Sequence, residues 1–100
     1  MPYSYHRAYP RFPLESSAEI STEKAKGISM ILTDVSVGGA GILTNIPLDV
    51  MGNVEILIKS CFLFKDALKK KAKVAWCKKL GYNLWQVGLD FGVDNLINFS

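Results

Sequence analysis

Between Ile28 and Phe91, apolar residues recur at every second position in several short runs, the period of a strand that buries one face. The clearest run sets Val54, Ile56 and Ile58 against Asn53, Glu55 and Lys59, with Leu57 the one apolar residue on the polar side. Trp85, Val87, Leu89 and Phe91 alternate with Gln86, Gly88 and Asp90, and Gly81-Tyr82-Asn83 supplies a turn before them. Ile28, Met30 and Leu32 predict a strand over 28–33. Ala40 to Thr44 predicts another after the Gly38-Gly39 pair. Short strands joined by tight turns are the expectation for this part of the chain.

The remaining stretches read less simply. Phe64 to Leu80 fits two periods: Phe64, Leu68, Ala72, Ala75, Trp76 and Leu80 form a helical stripe capped by Gly81, and the Ala, Leu and Lys content favours helix. Read as a strand, the same stretch turns Leu68, Ala72, Val74 and Trp76 inward and Lys69, Lys71 and Lys73 outward, with Lys70 a misfit. Leu14 to Ile20 makes a poor strand by composition, since it holds Glu15, Ser16, Ser17 and Glu19. Residues 1–13 carry Pro2, Pro10 and Pro13 among Tyr3, Tyr5, Tyr9 and Phe12, which predicts an irregular arm with aromatic anchors. Asp94 to Ser100 offers an N-cap and apolar Leu96, Ile97 and Phe99, a short helix able to plug a barrel end. Trp76 and Trp85 are both expected in the core.

With 100 residues and a hydrophobic share of 49%, the chain holds one domain and one core. A binding domain of this size is expected to act alone, passing its signal to a separate protein or to a second copy of itself as a homodimer. The net charge is +3, and seven of the twelve basic residues lie in one stretch: Lys65, Lys69, Lys70, Lys71, Lys73, Lys78 and Lys79. No run approaches the ~18 apolar residues of a membrane span, and Met1 to Arg7 lacks the apolar core of a signal peptide. The expectation is a cytoplasmic protein without a membrane span. Cys61 and Cys77 lack metal-ligand spacing and His6 is the only histidine, so no metal site is expected. No Ser, Cys or carboxylate pair is spaced as a nucleophile and base, so no enzyme and no catalytic residue is expected.

Candidate chemistry lies in two motifs. The only two arginines, Arg7 and Arg11, stand four residues apart, and Asp34-Val35-Ser36-Val37-Gly38-Gly39 follows as D-x-S-x-x-G. Arginine presents a planar fork of donors that matches phosphate oxygens and the O6/N7 edge of guanine, whereas the ten lysines offer point charges. Taken singly, Asp34 to Gly39 reads as an ordinary turn and the arginines as a solvated basic tail. Together they favour an anionic ligand. Arg7 and Arg11 would pair with phosphate or the guanine Hoogsteen edge, Asp34 offers an acceptor pair, Ser36 offers a hydroxyl, and Gly39 leaves room for close approach.

Arg7, Arg11, Asp34, Ser36 and Gly39 resemble the signature of PilZ domains, bacterial receptors for the second messenger cyclic di-GMP, and Val87-Gly88-Leu89-Asp90-Phe91 is similar to their last barrel strand. The resemblance runs from about Arg7 to Phe91. It implies a mostly β fold: a six-stranded antiparallel barrel over 14–92, a ligand-binding arm over 1–13 that folds across a bound dinucleotide, and a short C-terminal helix over 93–100. It resolves Phe64 to Leu80 in favour of strand and asks for a strand at Leu14 to Ile20. His6 stands where the resemblance points to control over how many ligand molecules bind. The implied ligand is cyclic di-GMP with no cofactor, and arm closure would alter a surface read by a downstream protein. Two other readings stand beside this one: an interaction module of the same fold that no longer binds the nucleotide, and, below it, a nucleic-acid-binding domain working through Lys69, Lys71 and Lys73.

Overall fold

The computed structural model describes residues 12–59 and 66–92. Six strands follow in order: β1 Phe12–Ser21, β2 Ile28–Ser36, β3 Gly39–Thr44, β4 Asn53–Ile58, β5 Leu68–Gly81 and β6 Leu84–Asp90. They close into a barrel in the order β1, β2, β3, β6, β5, β4, and every pairing is antiparallel. Two three-stranded meanders, β1 to β3 and β4 to β6, are joined along β3 with β6 and along β1 with β4. Closure leaves no free sheet edge along the paired registers.

The interior follows from strand parity. Ile20, Leu32, Val35, Ile42, Ile56, Ile58, Val74, Val87 and Leu89 are fully buried, and each such aliphatic side chain contributes about 1.5–3 kcal/mol by leaving water. Val54, Ile56 and Ile58 point inward as their alternation predicts, and so do Val87 and Leu89, with Trp85 packed against the same cluster. Leu48, in the loop between β3 and β4, is buried against the core as well. That loop is tied to β5 by hydrogen bonds from Met51 N to the Val74 carbonyl (2.7 Å) and from Val74 N to the Gly52 carbonyl (3.0 Å).

Some expectations hold and others change. Phe64 to Leu80, where it is described, is the strand that the resemblance implies and not the helix that its composition favours: β5 runs from Leu68, with β4 paired along Leu68 to Lys73 and β6 along Lys73 to Gly81. Leu14 to Ile20 belongs to a strand that starts at Phe12, inside the predicted arm. Among its described side chains Ala18 and Ile20 fill the core, while Glu19 stays half-buried beside Lys59 (3.3 Å). Asp34 and Ser36 are part of β2, and only Val37 and Gly38 form the turn. Trp76 is outside the core. The register between β5 and β6 shifts between Val74 and Trp76, so the intervening Ala75 is a bulge that reverses parity, turning Cys77 onto the core in place of Trp76. The expected helix at Asp94 to Ser100 lies outside the described residues.

Candidate functional site

The β2–β3 hairpin holds the D-x-S-x-x-G motif and fixes its geometry. Val35 faces the core and pairs with Ala40, so the flanking residues Asp34 and Ser36 take the outward rows. A register shift between Leu32 and Asp34 makes room for this: Thr33 is the extra residue, and it brings Asp34 opposite Gly41. The turn is closed by the Ser36 hydroxyl, which donates to the Gly39 carbonyl at 3.4 Å, and by Phe91 N, which donates to the Gly38 carbonyl at 2.9 Å. Ser36 is only 2% exposed, so its hydroxyl acts in holding the turn rather than projecting into solvent.

From Asp34 an outward row runs across the sheet. Pro13 on β1 pairs with Asp34 on β2, Asp34 with Gly41 on β3, Gly41 with Gly88 on β6, and Gly88 with Trp76 on β5. The two glycines in the middle lie under side chains of neighbouring strands. A methyl group on Gly41 would sit 2.7 Å from Asp34 Oδ2, and one on Gly88 would overlap Trp76 Nε1 and Cε2 and lie 2.9 Å from Cδ1. The carboxylate therefore lies over β3 and the indole over β6, above neighbouring backbone positions. Thr33 Oγ1 lies 3.4 Å from Asp34 Oδ2, a long hydrogen bond.

The next outward row runs through Ser36, Gly39, Asp90, Lys73 and Asn53. Asp90 Oδ1 accepts from Gly92 N at 2.9 Å, which shapes the chain leaving β6. An open groove of about 1060 Å³ meets this row at Asp90 and Lys73 and continues past Ser21, Lys26 and Phe91. Asp34, Ser36, Gly39 and Trp76 do not line it, so the motif chemistry sits on a shallow face next to the groove. The face presents two groups suited to a flat polar ring, an acceptor pair on Asp34 and an aromatic plane on Trp76.

Of the residues singled out from sequence, Asp34, Ser36 and Gly39 come together on this hairpin. Arg7, Arg11 and His6 lie outside the described residues, as do Tyr5 and Tyr9. The register still locates where the arm joins, because Phe12 pairs with Val35 and Pro13 with Asp34. Trp76, Gly41 and Gly88 escaped the sequence reading. A glycine inside an alternating strand marks a close approach by another group, and Gly88 between Val87 and Leu89 carried that signal.

The lysine stretch is a different surface. Lys69 pairs with Glu55 at 3.7 Å, Lys71 stands opposite Glu55 in the register, and Lys73 stands opposite both Asn53 and Asp90. Charges of both signs interleave there, a pattern suited to solvent rather than to a polyanion. Among the described residues no three His, Cys, Asp or Glu side chains are grouped to hold a metal, and no helix is long and apolar enough to cross a membrane.

Compared with known proteins, residues 5–98 match the family model of the PilZ domain. No curated protein matches the chain.

Proposed function

The chain belongs to the PilZ domain family, a family of cyclic di-GMP-binding and adaptor domains, and from that premise we propose that it is a receptor for cyclic di-GMP. The observation that carries the reading is the outward row itself, in which Asp34 lies over Gly41 and Trp76 over the adjacent Gly88. In this reading a guanine settles against the Asp34 carboxylate and the Trp76 indole, which themselves cover Gly41 and Gly88. Its N1 and N2 donors meet the Asp34 carboxylate, whose two oxygens have capacity for several donors, and its ring stacks on the Trp76 indole. Gly39 lets backbone approach the ligand, and Ser36 holds the turn that aims Asp34.

The arm completes the site. Arg11 directly precedes Phe12, which pairs with Val35 beside the motif. Arg7, four residues earlier, is short enough a tether away to reach the same ligand. Their guanidinium forks take the phosphates or the guanine Hoogsteen edges, and His6, beside Arg7, bears on how many ligand molecules are held. Docking of the arm over the ligand changes the surface next to β1 and β2, which a protein partner then reads. The family is one of binding modules, and the reading assigns no catalysis.

Isothermal titration with cyclic di-GMP, with GMP and cyclic AMP as controls, tests the reading. Saturable binding is expected, and Arg7→Ala, Arg11→Ala and Asp34→Ala should each weaken it by about 1–3 kcal/mol, the value of a lost bidentate base or phosphate contact, without shifting thermal unfolding. Folded protein that gives no heat would overturn it. The burial of the Ser36 hydroxyl favours one second reading, an interaction module of the same fold that does not take the nucleotide. Silent titration with an intact barrel by circular dichroism is the outcome that reading requires.

A further inference from the structure

The β5–β6 hairpin extends past the strands on either side of it. Pairing of β4 with β5 stops at Asn53 with Lys73, and pairing of β3 with β6 stops at Thr44 with Trp85. The outer part of the hairpin, through Leu80, Tyr82 and Leu84, is thus a two-stranded ribbon projecting from the barrel. Its tip is apolar and open to solvent: Tyr82 is 90% exposed, Leu80 48% and Leu84 38%. The local geometry holds these side chains out. A register shift between Lys79 and Gly81 leaves Leu80 as an unpaired bulge residue, and Asn83, at φ 52°, closes the turn that presents Tyr82.

Charge is layered behind the tip. Lys78 and Lys79 are exposed on β5, Lys79 Nζ lies 5.6 Å from the centroid of the Trp85 ring, and no Asp or Glu occurs from Val74 to Leu89. This differs from the rest of β5, where Glu55 and Asp90 neighbour the lysines. An apolar and aromatic apex with cations set one or two residues behind it matches a bilayer carrying anionic headgroups: apolar groups and a tyrosine enter the interface while lysines remain at headgroup depth. Self-association through the tip would bring Lys78 and Lys79 against their own copies, which like-charge repulsion opposes.

We infer that the β5–β6 hairpin tip is an anchor for anionic membrane surfaces, with Leu80, Tyr82 and Leu84 entering the interface and Lys78 and Lys79 meeting acidic lipid headgroups. Two lysines and three apolar side chains make a weak, reversible contact that depends on salt. The inference does not rest on nucleotide binding, since none of these residues lies in the row from Asp34 to Trp76.

Flotation of the full chain with vesicles tests it, comparing phosphatidylcholine alone with phosphatidylcholine containing about one-third phosphatidylglycerol, a density of anionic lipid that attracts basic segments. Binding is expected to the anionic vesicles only and to fade as salt rises. Tyr82→Asp and the double variant Lys78→Glu/Lys79→Glu should each lower the bound fraction about tenfold or more. Lys69→Glu/Lys71→Glu, with the same change in net charge on another face, should retain most of it. Because Tyr82 is almost wholly exposed, Tyr82→Asp is expected to unfold at the wild-type temperature. No flotation with anionic vesicles overturns the inference, as does equal loss in the Lys69/Lys71 variant. Sedimentation showing a dimer that Tyr82→Asp dissolves would overturn it in favour of self-association.

Discussion

Two outward faces of the same barrel carry charge and aromatic groups in opposite ways. Where β2, β3, β6 and β5 adjoin, Asp34 and Trp76 lie over Gly41 and Gly88, close to backbone that carries no side chain. Across β1, β4 and β5 the outward positions carry long charged side chains, with Lys59 on Glu19 at 3.3 Å and Lys69 on Glu55 at 3.7 Å, standing into solvent. On the first face the polar and aromatic groups lie against backbone rather than standing into solvent. The second holds flexible pairs in high dielectric, where each exposed ion pair contributes about 0–1 kcal/mol and salt screens it. Placement against the backbone, more than charge, separates the candidate binding surface from the solvated one.

The comparison breaks most sharply at Gly88. Gly88→Val puts a side chain where the five-membered ring of Trp76 lies, so the indole must swing off β6 or the strands must part. Overpacking of this kind costs about 1–3 kcal/mol, measurable by urea unfolding, and cyclic di-GMP binding should fall below detection in titration. Wild-type affinity in a Gly88→Val protein would remove Trp76 from the site.

Truncating the tryptophans separately sharpens the contrast between outside and core. Trp76→Ala is expected to cost about 1–3 kcal/mol of nucleotide affinity, the value of one base stacked on an aromatic ring. Its stability loss should stay below the about 3–5 kcal/mol of a core aromatic truncation, because the indole is outside the core cluster. Trp85→Ala should do the reverse, lowering the urea midpoint and leaving affinity unchanged, since Trp85 packs against the core. If both variants lose stability and neither loses affinity, the face of Asp34 and Trp76 is structural.

The same pair of tryptophans shows what strand parity discloses and what it hides. Trp85, Val87 and Leu89 were legible because β6 keeps an unbroken period of two beside one buried interior. On β5 the period is interrupted by a single residue, Ala75, and a bulge of one residue has no local composition to announce it, so Trp76 read as core. Thr33 is a second such bulge, on β2, while Asp34 read as a turn residue from the Asp, Ser and Gly of its motif although it stands in a strand. β1 was obscure for another reason: its strand character comes from partners on both sides, and its own apolar content is slight. The signature residues Asp34, Ser36 and Gly39 were readable as chemistry, but their roles differ once placed, since only the structure shows Ser36 buried and closing the turn. Gly41 and Gly88 were visible as glycines within strands, and their meaning needed the side chains of other strands laid across them.

The smallest expected effect tests the opposite face. In Lys69→Ala/Lys71→Ala, unfolding free energy should change by no more than about 1 kcal/mol, since these lysines are exposed and their Coulomb energy with Glu55 is screened by water. Cyclic di-GMP titration should match wild type within error, and raising salt should erase what difference in stability remains. A double-mutant cycle of Lys69 with Glu55 isolates the pair, with a coupling near the ~0.2–1 kcal/mol of exposed ion pairs expected. The comparison fails if the lysine variant loses as much nucleotide affinity as Asp34→Ala. That result would mean the ligand extends from Asp34 and Trp76 along Asp90 and Lys73 into the groove lined by Lys69 and Lys71, making the two faces parts of one site.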